Sequence, residues 1–381
     1  MKKKSFLALA VAAFIGFSFF EKTAEPVSSG TYSLEKQIFK LDTVVSALKS
    51  PWGMALLPNG DMLVTEKKGA LRLIQNGKLH PDPIGGIPEV HTKSQAGLFE
   101  VKLHPEYEKN GWIYLSYASP IQNNEKGEGA NTAFIRGRLK DHQLVDQELL
   151  FKASPNYKRN VHFGGRIEFD RKGYMYLTVG DRGGRDENQT LENYRGKVFR
   201  LHDDGHIPDD NPFVGEKNAK TETFTYGHRN PQGLALNPET GEIWEHEHGP
   251  QGGDELNIIR RGNNYGWPTI TYGINYNNTI ITKDTVMEGM EQPTTFWRPS
   301  IAPCGMDFIS SDIYGKFKGN LLVGSLKFNY IEICKIEDNK VINKEIILKG
   351  IGRVRSIHQE HDGYVYVVLE HPGQVVRLMP D

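Results

Sequence analysis

The sequence predicts an all-β fold: a six-bladed β-propeller with four-stranded antiparallel blades and long inserted loops. Three observations carry this reading. The body has almost no helical periodicity and is written in short alternating or β-branched runs bounded by Gly, Asn, Asp and Pro, the pattern of strands and turns. One local unit, a Gly-containing turn followed by a hydrophobic and aromatic strand, recurs six times. Its marker glycines are spaced by about 44 to 78 residues, and the low end is near the length of one four-stranded blade.

Taken in order, the chain of 381 residues starts with three lysines ahead of an apolar run, Phe6 to Phe20, and a polar segment, Glu21 to Gly30. These are the charged and apolar regions of a secretion signal, and the run is short for a membrane span. Residues 1–32 are therefore expected to be a secretion signal and short leader on an exported, periplasmic or extracellular protein. No A-x-A triplet follows the run, so an uncleaved N-terminal anchor is the other outcome. Residues 33–381 are expected to form one propeller domain, since no linker or low-complexity segment interrupts them. The six units start at Pro58, Lys109, Asp170, Pro238, Lys316 and His361, with marker glycines Gly60, Gly111, Gly173, Gly241, Gly319 and Gly363. The extra length of the central units implies inserted loops, where the charged motifs lie. A β-sandwich followed by a second β domain is the competing architecture; a parallel β-helix would need shorter, more regular repeats.

Composition narrows the function. A formal net charge of −1, with 46 Lys and Arg against 47 Asp and Glu, points to no nucleic acid and no bulk membrane electrostatics. The two cysteines, Cys304 and Cys334, read as buried thiols rather than a pair, so a hydrophobic core must hold the fold.

The stretch 226–268 gathers Arg229, Asn230, three histidines, Asp254 and Glu255 among glycines and prolines, which suits a site for a charged ligand or metal. His162, followed by Phe163-Gly164-Gly165, has room for a substrate at its ring, and histidine is the natural general base near neutral pH. Asp181, one strand later, can accept the other imidazole proton and fix its tautomer. A turn histidine capping a strand is the competing reading. Arg229 offers a fork for carboxylates and Asn230 both donor and acceptor. His228, His246 and His248 are a conceivable zinc set, yet Gly249-Pro250 and Asp254-Glu255 offer the oxygen ligands that favour calcium; for the acidic pair a solvated turn is the alternative. Lys327 reads as part of an apolar strand, where an unpaired ammonium is costly. Arg353 and Arg355 project on one side of a strand and repel unless an anion lies between them, with blade-rim salt bridges as the competing reading. If these cations converge with Arg229, they imply a ligand carrying several carboxylates.

The motifs HFGGR, TVGDRG, YGHRNPQGLA, EHGPQGGDELN, NYGWP, PSIAP, GSLK and RVRSI, in this order, resemble the soluble quinoprotein sugar dehydrogenases, the glucose/sorbosone dehydrogenase family with its aldose sugar dehydrogenases. The resemblance spans about residues 45–379 and implies a six-bladed propeller binding pyrroloquinoline quinone (PQQ) and Ca2+. It implies His162 as catalytic base, Asp181 as its orienting partner, and Arg229 and Asn230 as contacts to the quinone oxygens. Gln95, Tyr276, Lys327, Arg353 and Arg355 would bind the cofactor; Gly249 and Pro250 would hold its calcium; Glu255 and Tyr265 resemble a further calcium site. The implied partners are a small aldose and an external electron acceptor, since no Cys-x-x-Cys-His haem motif occurs. Two departures stand out: Glu100 in Gly97-Leu98-Phe99-Glu100 adds bulk and charge, and His248 replaces a glutamine of the glucose branch. The alternatives are a metal-dependent lactonase or esterase propeller and a non-catalytic binding propeller.

Overall fold

The computed structural model describes residues 31–34 and 37–380, and the expectation for residues 1–30 lies outside them. Six antiparallel sheets form a ring, each the blade of a propeller. Blades 1 to 5 are contiguous in sequence, at 51–79, 98–152, 167–226, 231–297 and 303–347, and each runs outward from its first strand. Blade 6 is composite. Its three inner strands, Arg353–Gln359, Val365–His371 and Gln374–Pro380, are C-terminal, and its outer strand, Gln37–Val45, comes from the other end of the chain. Leu41 faces Leu378 and Asp42 faces Arg377 across this seam, with the Arg377 guanidinium 2.6 Å from Asp42. Thr31–Leu34 adds a fifth strand to this sheet and straddles the expected domain boundary at residue 32. Among the described residues helix is limited to short segments such as Tyr107–Asn110 and Asp312–Phe317.

Each of the six marker glycines lies in the turn between the first and second strands of its blade, with φ between 69° and 85°. That left-handed conformation strains residues bearing a Cβ, which is why the repeat is punctuated by glycine. A Cβ on Gly60 or Gly173 would meet nothing within 4 Å, so conformation rather than crowding selects glycine there.

The core is divided as a ring of sheets requires. Blades 1 and 2 bury Leu63, Leu71, Leu98 and Ile113 between them; blades 2 and 3, Tyr114, Phe134, Phe169 and Phe199; blades 3 and 4, Val198, Phe224 and Ile243. The remaining interfaces bury Trp244 with Phe308, Ile331 with Val367, and Val64 with Val368. Full burial of one such side chain contributes about 1.5–3 kcal/mol, so every blade depends on its neighbours. Cys304 and Cys334 are buried and unpaired.

At the axis the first strands converge on Arg166, which is 3% exposed. Its guanidinium donates to Glu100 at 2.6 Å, Gln232 O at 2.7 Å, Arg355 O at 2.8 Å and Ser356 Oγ at 2.9 Å, contacts Cys304 Sγ at 3.5 Å, and lies 4.0 Å over the Trp52 ring. One side chain thus links all six blades. The departure at Glu100 is accounted for: its carboxylate is the counter-ion of this axial arginine.

Candidate active site

Antiparallel blades put the start of each first strand and the end of each second strand at one face, opposite the marker-glycine turns. His162, Arg229 and Arg353 stand at first-strand starts; Lys67, Asp181, Gly249 and Lys327 follow second strands. Residues far apart in sequence are therefore brought to one face; of these Lys67 and Arg353 line the axial cavity there, while His162, Asp181 and Arg229 stand behind its lining residues Gln95, Phe163, Gly164 and Asn230.

His162 has φ 51°, a left-handed conformation that is costly for a histidine. Two bonds hold it there. Its backbone N–H donates to Gln95 Oε1 at 2.8 Å, and its Nδ1–H donates to Asp181 Oδ1 at 2.7 Å. The acceptor is a carboxylate, which leaves Nε2 as the free basic nitrogen. Burial, and secondarily the Arg229 charge, lower the imidazole pKa against the pull of Asp181. Burial alone would raise Asp181, yet the bond from His162 and the nearby positive charges bring it below its usual range. Asp181 also accepts from Gly183 N–H at 2.6 Å and from Trp267 Nε1–H at 2.8 Å. Both shifts favour a neutral imidazole beside an ionised carboxylate.

Arg229 and Asn230 enter from the start of blade 4, their amides capped by Glu247. The Arg229 guanidinium donates to His248 O at 2.7 Å and Gly249 O at 2.8 Å, while its buried Nε has no partner. Asn230 Oδ1 accepts from Gly164 N–H at 3.3 Å, and Asn230 lines the cavity with Gln95, Phe163, Gln232 and His248. The same cavity contains Lys67, Arg353 and Arg355. A separate outer cavity is lined by Pro250, Tyr276 and Lys327 and shares Leu326 and Arg353 with the first, so Lys327 and Tyr276 are not brought into the axial cavity itself.

Several expectations are corrected. Lys327 is not within a strand: the strand ends at Ser325, and Lys327 is exposed in the following turn, with its ammonium 4.9 Å from the Phe328 ring. No burial penalty applies to it. Arg353 and Arg355 do share a side, and the anion between them is internal, as the salt-bridge reading has it. Glu370 Oε2 accepts from Arg353 Nε at 3.0 Å and Arg355 Nε at 3.1 Å, and its pKa, which burial would raise, is held down at about 2 by Arg355 and Arg353. Asp254 is no solvated turn: it is fully buried, bonding Gly249 N–H, Ser300 Oγ and the Ile301 and Ala302 amides. It therefore shapes the Gly249-Pro250 loop. The three histidines do not converge. His246 is buried against Gly233, His248 donates from Nε2 to Pro303 O at 2.8 Å, and His228 joins Glu245 and Glu247 instead.

That last group is the one cluster of potential metal ligands among the described residues, its ligand atoms within 4.8 Å of one another. Glu255 faces Glu247 across adjacent strands, and the Tyr265 ring stacks on His228 at 4.5 Å. Burial, then the charge of Glu247, pushes Glu245 and Glu255 well above the usual carboxylate range. The residues missed by the sequence reading are Lys67, Glu370, Trp52, Gln232 and Trp267. Each is separated by more than ten residues from a recognised motif or sat in one without a chemical signal; only the Gly-Trp-Pro of NYGWP marked Trp267.

The sequence profile of the Glucose / Sorbosone dehydrogenase family matches residues 48–377. Over 347 residues the chain is 39% identical to the Aldose sugar dehydrogenase YliI of Escherichia coli (strain K12), covering 89% of this chain and 92% of that protein. It is 29% identical over 258 residues to the Quinoprotein glucose dehydrogenase B of Acinetobacter calcoaceticus, covering 61% of this chain and 53% of that one. The crystal structure of the soluble aldose sugar dehydrogenase from Escherichia coli in the apo-form superimposes with a TM-score of 0.85 at 37% identity, covering 90% of this chain and 100% of that one.

Proposed function

The chain belongs to the glucose/sorbosone dehydrogenase family and is an oxidoreductase acting on sugars; from that premise we propose that it oxidises aldoses at the anomeric carbon to lactones, with PQQ and Ca2+ as cofactors. The observation that carries the proposal is a cation-rich cavity lined by Gln95, Phe163 and Gly164, the immediate neighbours and backbone partner of the oriented imidazole of His162. Lys67, Arg353 and Arg355 line that cavity against one carboxylate, Glu370, and Lys327 and Arg298 add two more cations at the outer space. In a protein of net charge −1 this excess suits a small polyanion. Trp52, Phe99 and Phe163 give the same cavity flat apolar walls.

PQQ, when bound, supplies an ortho-quinone that accepts two electrons as hydride and three carboxylates that need cationic partners. The chain's own residues do the rest. His162 Nε2 takes the proton of the sugar's anomeric hydroxyl, and Asp181 keeps Nδ1–H in place and stabilises the imidazolium that forms. Arg229 and Asn230 stabilise negative charge developing beside them. Arg353, Arg355, Lys327 and Lys67 hold carboxylates, with Gln95 and Tyr276 at the edges. The carbonyls of Gly249 and Pro250, on the loop fixed by Asp254, would hold a hard cation, with the Gly249 carbonyl shared with or released by the Arg229 guanidinium that it now accepts from at 2.8 Å. The buried carboxylates of Glu245 and Glu247, with His228 beside them and Glu255 on the adjacent strand, would hold a second calcium near Tyr265. The Tyr265 phenol is already donating to Ile258 O, so its side-chain oxygen is not the free ligand there.

Electrons then pass to an external acceptor, and the lysines and apolar run of residues 1–20 support export. The test is reconstitution of apoprotein with PQQ and calcium, followed by dye reduction with a panel of aldoses. Sugar-dependent reduction is expected; its absence with every aldose would refute the proposal.

A further inference from the structure

The carboxylate of Asp181 is held from three directions. Oδ1 accepts from His162 and from Gly183 N–H, and Oδ2 accepts from the indole N–H of Trp267, 86 residues along the chain. Trp267 comes from the long insertion of blade 4, between strands Asp254–Ile258 and Thr295–Trp297, and is 4% exposed. Its backbone is pinned as well, with Asn188 and Gln189 of the blade 3 loop donating to Trp267 O at 3.0 and 2.7 Å. The ring lies 5.3 Å from the Arg229 guanidinium and 5.2 Å from that of Arg185. A fixed indole therefore touches both the orienting acid and the arginine beside the base.

We propose that Trp267 is a positioning residue: its N–H holds Asp181 Oδ2 and so sets how strongly Asp181 grips the imidazole of His162. The inference rests on the reading of His162 as the base. A donor at one carboxylate oxygen stabilises the anion and weakens the other oxygen as an acceptor. With the indole bond present, the imidazolium gains less from Asp181 and the base gives up its proton more readily. The charged groups facing His162 are Asp181, Arg229 and Arg182; the two arginines also disfavour imidazolium. Trp267 thus acts in the same direction as burial and the arginines, keeping Nε2 free of its proton at neutral pH.

The test is Trp267→Phe, which removes the N–H and keeps an aromatic ring beside Arg229. The His162 imidazole is titrated by 15N NMR in the apoprotein, its signal assigned with His162→Gln. The midpoint is expected to rise by roughly half to one pH unit, and in the holoenzyme the acid limb of kcat/KM should move alkaline by the same amount. A midpoint that stays put, with any loss of rate uniform across pH, would reduce Trp267 to packing. In an Asp181→Asn background the substitution should no longer move the midpoint; a full shift there would show that Trp267 does not act through Asp181. Should Trp267→Phe fail to fold, biosynthetic incorporation of 5-fluorotryptophan, a stronger N–H donor, should move the midpoint the other way, and no movement would overturn the proposal. Near-normal turnover by His162→Gln would remove the base reading itself, whereas an unmoved midpoint with that variant inactive removes only the role of Trp267.

Discussion

Glu370→Gln isolates the charge that makes the arginine pair tolerable. In the folded chain Glu370 sits at about 2, against an ordinary 4.5, because Arg355 and Arg353 stabilise its charge more than burial penalises it. That gap corresponds to about 3 kcal/mol in favour of the folded state, and the partial exposure of Arg353 brings the expectation to about 2–3 kcal/mol. Because the folded-state value lies below the ordinary one, the contribution is complete above about pH 4.5 and is lost as the pH falls toward 2. Urea unfolding of apoprotein at pH 7 should show the variant less stable by that amount, and the difference from wild type should shrink in acid. Cofactor affinity should hold or tighten, since both guanidinium groups are freed for carboxylates. Equal stability at pH 7, or a difference that does not change down to pH 3, would refute the reasoning.

Further outcomes follow from the same geometry. His162→Gln should lower kcat by about 10²–10⁴-fold with PQQ binding retained, as checked by fluorescence titration and steady-state kinetics. Replacing Arg353 and Arg355 together by glutamine should weaken PQQ binding at least about 100-fold, equivalent to about 1.4 kcal/mol per lost partner, measured by the same titration. Gly60→Ala, in an open left-handed turn far from the cavity, should cost about 1 kcal/mol in urea unfolding and leave activity unchanged. Gly305→Ala should cost several times more, because its Cβ would meet Ser356 Cα at 2.4 Å beside the axial arginine.

The propeller was legible because its repeat is enforced locally. Six turns need a left-handed residue, six glycines supply it, and each falls between the first and second strands of a blade. The composite blade was not legible, since the pairing of Gln37–Val45 with Gln374–Pro380 leaves no local signal. Within the site, His162, Asp181 and Arg229 were readable because glycines and turns surround polar residues where a core has no use for them. Glu370 was not: it ends an apolar strand, and only the ring of blades places it between two arginines. Lys327 was misplaced for the complementary reason, an apolar run read one turn too far, where Ser325 Oγ caps the turn by accepting from Phe328 N–H. Trp267 lay within a recognised motif, yet a tryptophan announces burial more readily than its one hydrogen bond.

The central claim is that His162 works on a sugar whose anomeric C–H bond breaks against a quinone in the axial cavity. Anaerobic mixing of the reconstituted enzyme with one equivalent of an aldose, protiated or deuterated at C1, measures that step in a single turnover. Stoichiometric bleaching of the oxidised cofactor, slowed severalfold by deuterium and lost in His162→Gln, is the predicted result. Bleaching at the same rate with both sugars and undiminished in His162→Gln, or no bleaching at all, would contradict the account.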